Sequence, residues 1–152
     1  MIISIHIMHL LLGIGNEMNG DDAIGIWVAR NFSCNGWISI DCATVPENSM
    51  GEIKKHNAKK IVLVDAADMG LNPGEIRIIP KKKIGSASFS THSVPLSVFI
   101  SHLEEMGVKD IILIGIQPKS LYGEMSNEVK KAGEKLIKML KEGKIEEIEE
   151  IE

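Results

Sequence analysis

Gly13-Ile14-Gly15-Asn16-Glu17-Met18-Asn19-Gly20-Asp21-Asp22 is a loop bracketed by glycines that ends in two acids. The apolar run His9 to Gly13 precedes it, and Ile24, Trp27 and Val28 follow at helical spacing. A continuous apolar run reads as a strand buried on both faces, whereas spacing of three and four reads as a helix with one inward stripe. The helix is expected to begin near Asp21 or Asp22, where an acid complements the helix dipole. A strand handing over to a helix in this way predicts a parallel-dominated α/β sheet. In such sheets ligands bind beyond the carboxyl ends of the strands, so this loop carries carboxylates to the expected site edge.

The same alternation continues along the chain. Trp37 to Asp41 reads as the second strand, and Pro46-Glu47-Asn48 as a loop entering a short helix that reaches about His56. Ile61-Val62-Leu63-Val64-Asp65 is the plainest strand of all. Asn72-Pro73-Gly74 is a turn, followed by a strand from Glu75 to Ile79 whose direction the pattern leaves open. The basic, then Ser-rich, segment Lys81 to Thr91 reads as a surface loop. Ser93 and Pro95 suit the start of a helix with the stripe Leu96, Phe99, Leu103 and Met106. Ile111 to Gly115 is the last strand, and Ser126 caps a closing helix bearing Val129, Ala132, Leu136 and Leu140. Strands and helices in this order predict a three-layer α/β sandwich with helices on both faces. Right-handed crossovers then bring Asp22, Asp41 and Asp65 to one edge.

The chain of 152 residues suits one domain, with its core at about 8–141, residues 1–7 as an N-terminal extension and 144–152 as a solvated acidic tail. A net charge of -4, with no Lys/Arg stripe interleaved with aromatics, argues against nucleic acid as partner. The apolar start, Met1 to Ile7, has no basic flank and no small-residue cleavage site, so it does not read as a signal peptide. No apolar run approaches the roughly 20 residues that span a bilayer, which predicts no membrane insertion. Cys34 and Cys42 form neither a CxxC pair nor a disulfide framework, and a reducing cytoplasm is the expected compartment.

Asp22, Asp65 and His92 can together offer two carboxylates and an imidazole, a set suited to a first-row divalent ion. Each also has a plainer reading. Asp22 is a candidate helix cap, Asp65 a cap on the following turn, and His92 a hydrogen-bonded loop histidine. Asp65 has the strongest functional case, because a carboxylate closing an apolar strand is expensive to bury unless it is paired or ligated. Asp41 could orient His92 or a water, or cap the loop at Cys42-Ala43-Thr44, and the sequence favours neither. Glu17 and Asp21 read as solvated loop acids. Met50, Met69 and Met125 read as gap fillers, and Cys42 as a small buried residue.

Gly13-Ile14-Gly15-Asn16, Gly20-Asp21-Asp22, Pro46-Glu47-Asn48, Val64-Asp65-Ala66, Asp68-Met69-Gly70-Leu71-Asn72-Pro73-Gly74-Glu75, Thr91-His92 and Gly115-Ile116-Gln117-Pro118 occur in this order between about Met8 and Lys141. Together they closely resemble the hydrogenase maturation proteases, and most closely the branch serving hydrogenases of formate hydrogenlyase and energy-converting type. The resemblance implies a twisted, mostly parallel sheet of about five strands. It implies an aspartic-type endopeptidase that removes the C-terminal extension from the nickel-loaded large-subunit precursor of a nickel–iron hydrogenase. Asp22, Asp65 and His92 fall on the family's metal-contacting positions and are thereby also the catalytic candidates, with Asp41 a further one. The ion is implied to be nickel carried by the substrate, replaceable by zinc or cadmium in vitro, with no organic cofactor. The strand-two aspartate is usually followed by two small residues, commonly Gly-Gly, where this chain has Cys42-Ala43, a departure bearing on local loop shape.

Three other functions share some of these features. A phosphoacceptor receiver domain would use Asp21, Asp22, Asp65 and Lys119, but its loop and its lysine-to-proline order do not fit. A dinucleotide-binding enzyme would need a third small residue in the glycine loop and fewer acids near the pyrophosphate. A noncatalytic nickel-binding assembly factor would share the ligands and lack only cleavage.

Overall fold

The computed structural model describes residues 9–90 and 95–152. His92, together with Met1 to Met8, Thr91, Ser93 and Val94, lies outside them. The first strand, β1 (His9–Gly13), leads through a 3-10 turn at Gly20–Ala23 into helix α1 (Ile24–Asn31) and strand β2 (Trp37–Asp41). A second 3-10 turn, Pro46–Ser49, precedes α2 (Met50–Lys55) and β3 (Lys60–Ala66). Then come β4 (Ile76–Ile78), a 3-10 segment at Lys81–Ser86, α3 (Leu96–Glu105), β5 (Asp110–Ile116) and α4 (Asn127–Glu142).

The five strands form one sheet in the order β2-β1-β3-β5-β4. All pairings are parallel except β4 with β5, which settles the direction the sequence left open. Because β1 lies between β2 and β3, the chain steps from β1 outward to β2 and then returns past β1 to reach β3. Right-handed crossovers in opposite directions place α1 and α2 on opposite faces. The two apolar clusters follow that division. Ile24 and Val28 of α1 pack with Leu11, Val62, Val64 and α4 residues Val129, Ala132 and Leu136. Ile53 of α2 packs with Leu10, Leu12, Leu63, Cys42 and α3 residues Leu96, Phe99 and Leu103. The strand order thus reverses between β1 and β3, and the crevice above their carboxyl ends is the switch point of the fold.

Helix α1 sits unusually low on that switch point. A Cβ on Gly25 would lie 2.2 Å from the Ile14 carbonyl oxygen and 2.3 Å from that of Val64, and one on Gly13 would lie 2.1 Å from the Gly25 carbonyl. Real Cβ atoms do not approach so closely, so the Gly13–Gly25 contact is what lets the helix and the turn before it rest against β1 and β3.

Two segments differ from their sequence reading. Lys81 to Thr91 is not simply a loop, since it begins with the 3-10 segment and Ser88 pairs with Asp68 in an isolated bridge. The acidic tail is docked on the sheet edge through its isoleucines, while its acids stay exposed. Ile145, Ile148 and Ile151 are buried, the Ile78 amide donates to Glu149, the Ile151 amide donates to Ile78, and Lys60 binds Glu146 at 2.5 Å. The spacing of three between these isoleucines is the signal that the acidic composition concealed. Among the described residues no helix is long and apolar enough to cross a membrane.

Candidate active site

Asp22 and Asp65 are 1% exposed, and Asp21 is fully buried. Asp65 occupies the position after Val64, which pairs with Gly13 across the β1–β3 seam. Along β3 the side chains alternate, with Ile61 and Leu63 in the α2/α3 cluster and Val62 and Val64 in the α1/α4 cluster. Asp65 therefore belongs to the α2/α3 face. Asp22 lies in the 3-10 turn that packs against β3 and α1.

Asp22 is not a helix cap. Ala23 occupies the position before α1, and no side chain caps either that helix or the preceding turn. Both carboxylate oxygens of Asp22 are buried, with no hydrogen-bond partner among the described residues. A bare buried carboxylate costs several kcal/mol unless something arrives to coordinate or protonate it.

Asp21 behaves in the opposite way and corrects its reading as a solvated acid. Its Oδ2 accepts from the Lys119 amide (2.7 Å), the Ser120 amide (3.1 Å) and the Ser126 hydroxyl (2.8 Å), while Oδ1 accepts from the Ser126 amide (2.6 Å). Its own amide donates to the Ser120 carbonyl (2.9 Å). Asp21 therefore ties the glycine loop to the β5–α4 connection.

Asp41 lies on an outer flank. Arg30 reaches its Oδ2 through Nε (3.1 Å) and Nη2 (2.9 Å), and the Ala43 amide reaches its Oδ1 (2.9 Å). Of its two sequence readings the loop cap is the one the geometry supplies. Arg30 also binds Glu17 at 2.7 Å, and this hydrogen bond and charge raise the guanidinium pKa. Asp68, Gly115 and Gln117 act as scaffold. The Gln117 Oε1 accepts from the Met69 (2.7 Å) and Leu71 (3.2 Å) amides, and its Nε2 donates to Asp68.

One acid was missed by sequence reasoning. Both carboxylate oxygens of Glu47 are also buried, without a hydrogen-bond partner among the described residues. The sequence reading places it within the segment Pro46-Glu47-Asn48 and assigns it no role of its own. His92 lies outside the described residues, and among those residues no group of three His, Cys, Asp or Glu side chains is close enough to share an ion.

The family model for the hydrogenase maturation proteases matches residues 28–142. The chain belongs to that family. The hydrogenase 3 maturation protease of Escherichia coli K12 is 37% identical over 137 residues, covering 86% of this chain and 87% of its own. A crystal structure of the hydrogenase 3 maturation protease superposes with a TM-score of 0.86 at 34% identity, covering 98% of this chain and 99% of that one. The nickel–iron hydrogenase maturation protease HycI from Thermococcus kodakarensis gives 0.79 at 34% identity, with 91% and 92% covered. The protein is accordingly an endopeptidase of hydrogenase maturation. A receiver domain is disfavoured independently, since Asp21 is consumed by backbone donors and Lys119 pairs with Glu128 at 2.9 Å.

Proposed function

We propose that this maturation protease removes the C-terminal extension from a nickel–iron hydrogenase large-subunit precursor in the cytoplasm, and that it reads the nickel in that precursor through Asp22, Asp65 and His92. The observation that carries the reading is Asp22, whose buried carboxylate has no hydrogen-bond donor among the described residues. Two carboxylates and one imidazole from separate stretches of the chain, without the HExxH motif that holds zinc beside a base, suit an ion that arrives with its substrate. Coordination of that ion places the scissile segment at the β1–β3 crevice, so that binding energy supplies orientation. Docking and proofreading are then one event, and the carboxylates that perform it make the enzyme aspartic-type. The two free cysteines, Cys34 and Cys42, are consistent with a reducing compartment.

The test mixes the purified protein with its large-subunit precursor, either nickel-loaded or nickel-free, and follows loss of the extension by intact mass. Cleavage is expected only with nickel. Equal cleavage of both forms overturns the nickel reading, and cleavage of neither, with binding retained, favours a noncatalytic assembly factor.

A further inference from the structure

Four large apolar side chains are exposed among the described residues, Met18, Val98, Leu121 and Tyr122, and chain order puts all four at one end of the molecule. Met18 lies in the loop leaving the carboxyl end of β1, and Leu121 and Tyr122 lie in the connection leaving the carboxyl end of β5. Strands β1 and β5 flank β3 on its two sides, so these loops rise beside the end of the strand that carries Asp65. Val98 is in the first turn of α3, which must start at this end to run down to the foot of β5. An ordinary protein surface scatters its large apolar residues singly, whereas this one gathers them round the site.

The two loops are braced as one lobe. Gly20 presses on the backbone of the other loop, where a Cβ would lie 2.7 Å from the Ser120 carbonyl oxygen and 2.8 Å from the Tyr122 amide nitrogen. The Tyr122 amide donates to the Ser120 hydroxyl (3.1 Å), and the Met18 amide donates to Asn16 Oδ1 (2.9 Å). Asp21 locks the loops together through the amides of Lys119 and Ser120. Met18 and Tyr122 are nevertheless 82% and 86% exposed, so their backbone is fixed while their side chains pack on little of the protein itself. A preorganised backbone under exposed apolar side chains reduces the entropy lost on association. The charges beside the lobe are already matched, since Glu17 holds Arg30 at 2.7 Å and Lys119 holds Glu128 at 2.9 Å, with Glu124 exposed beyond Tyr122. The lobe therefore suits a neutral apolar face. A second copy of the chain seated there would shut the site edge to a protein substrate, which disfavours it as the occupant.

We propose that Met18, Leu121 and Tyr122 dock the folded body of the precursor, seating a neutral apolar patch of that protein beside the segment to be cut. The inference rests on the proposed precursor-processing reading and adds to it a docking surface separate from the carboxylates. Tyrosine and methionine suit the task, because both supply large contact area and are enriched at protein interfaces. The lobe holds the precursor equally before and during the reaction, so it lowers KM and leaves kcat alone.

The experiment measures the Kd of wild-type, Met18→Ser, Tyr122→Ser and doubly substituted protein for the nickel-loaded and nickel-free precursor, together with kcat and KM for the nickel-loaded form. Each single substitution should weaken binding by about tenfold and the pair by about a hundredfold, as interface anchors do. The loss should be the same with and without nickel, should appear in KM with kcat unchanged, and should leave thermal unfolding at the wild-type temperature. An unchanged Kd in the double variant overturns the proposal. So does a fall in kcat with Kd unchanged, or a loss confined to the nickel-loaded precursor. A wild-type dimer by light scattering that the substitutions split, or wild-type binding to phosphatidylglycerol vesicles that they abolish, overturns it in favour of another occupant. If the wild type binds the precursor through the lobe but cleaves neither form, the processing reading falls and the docking surface stands.

Discussion

The carboxylate of Asp21 grips Ser126 at both ends, accepting its amide at 2.6 Å and its hydroxyl at 2.8 Å across 105 positions of sequence. Ser126 itself caps α4, its hydroxyl accepting from the Val129 amide. One aspartate thus fixes the start of the longest helix to the loop that carries Asp22.

Substituting Asp21 with Ala should therefore act on the fold. It leaves three backbone amides and a hydroxyl without their acceptor, and a loss of roughly 3–5 kcal/mol in urea unfolding is expected. A change below 1 kcal/mol would show that water or the chain replaces those bonds readily.

Asp22→Asn should give the opposite pattern. Removing an unpartnered buried charge should leave stability unchanged or raise it by on the order of 1 kcal/mol. Processing of the nickel-loaded precursor should fall by roughly a hundredfold or more. Comparable losses of stability and activity in this variant would make Asp22 a structural residue.

Cys42 should be inert at neutral pH. Burial is the main cause that pushes its thiol from 9.0 up to about 11, with Asp41, Glu52 and Glu47 adding to the shift and a hydrogen bond from Ser49 opposing it. Iodoacetamide should therefore modify the half-buried Cys34 well before Cys42, as read by peptide mass. A folded pKa above the unfolded one favours the protonated thiol in the fold, so its contribution is complete below pH 9 and is lost as pH rises towards 11. The stability difference between wild type and Cys42→Ala at pH 8 and pH 11 measures it, and a difference that does not shrink at the higher pH refutes the assignment.

Deletion of residues 145–152 should destabilise the sheet edge. Ile145, Ile148 and Ile151 are buried and the backbone of β4 bonds the tail on both sides of Ile78. Roughly 3 kcal/mol or more should be lost. The Lys60 ammonium beside Glu146, chiefly through its hydrogen bond, holds that carboxyl below its ordinary value, so this smaller contribution is present above the unfolded pKa and fades as pH falls through the folded one. Unfolding of the truncated chain at the wild-type urea midpoint would return the tail to the status of an ornament.

The local pattern of residues carried the architecture. The runs at His9 to Gly13 and Ile61 to Asp65 could only be strands buried on both faces, and the stripes in α3 and α4 could only be helices facing a sheet, because apolar periodicity reports burial directly. It also placed Asp65 at the sheet edge, since a carboxylate at the end of an apolar run is put there by chain order alone. What the pattern could not contain was which acid is satisfied. Asp21 and Asp22 are adjacent, chemically identical and almost equally buried, and only the arrival of Ser120 and Ser126 from the β5–α4 connection separates a saturated strut from a carboxylate with no hydrogen-bond partner among the described residues. The inward turn of the Glu47 carboxylate and the docking of an acidic tail by three isoleucines are of the same kind. Hydrogen-bond satisfaction and edge packing are long-range properties, set by residues distant in sequence that only the folded chain brings together.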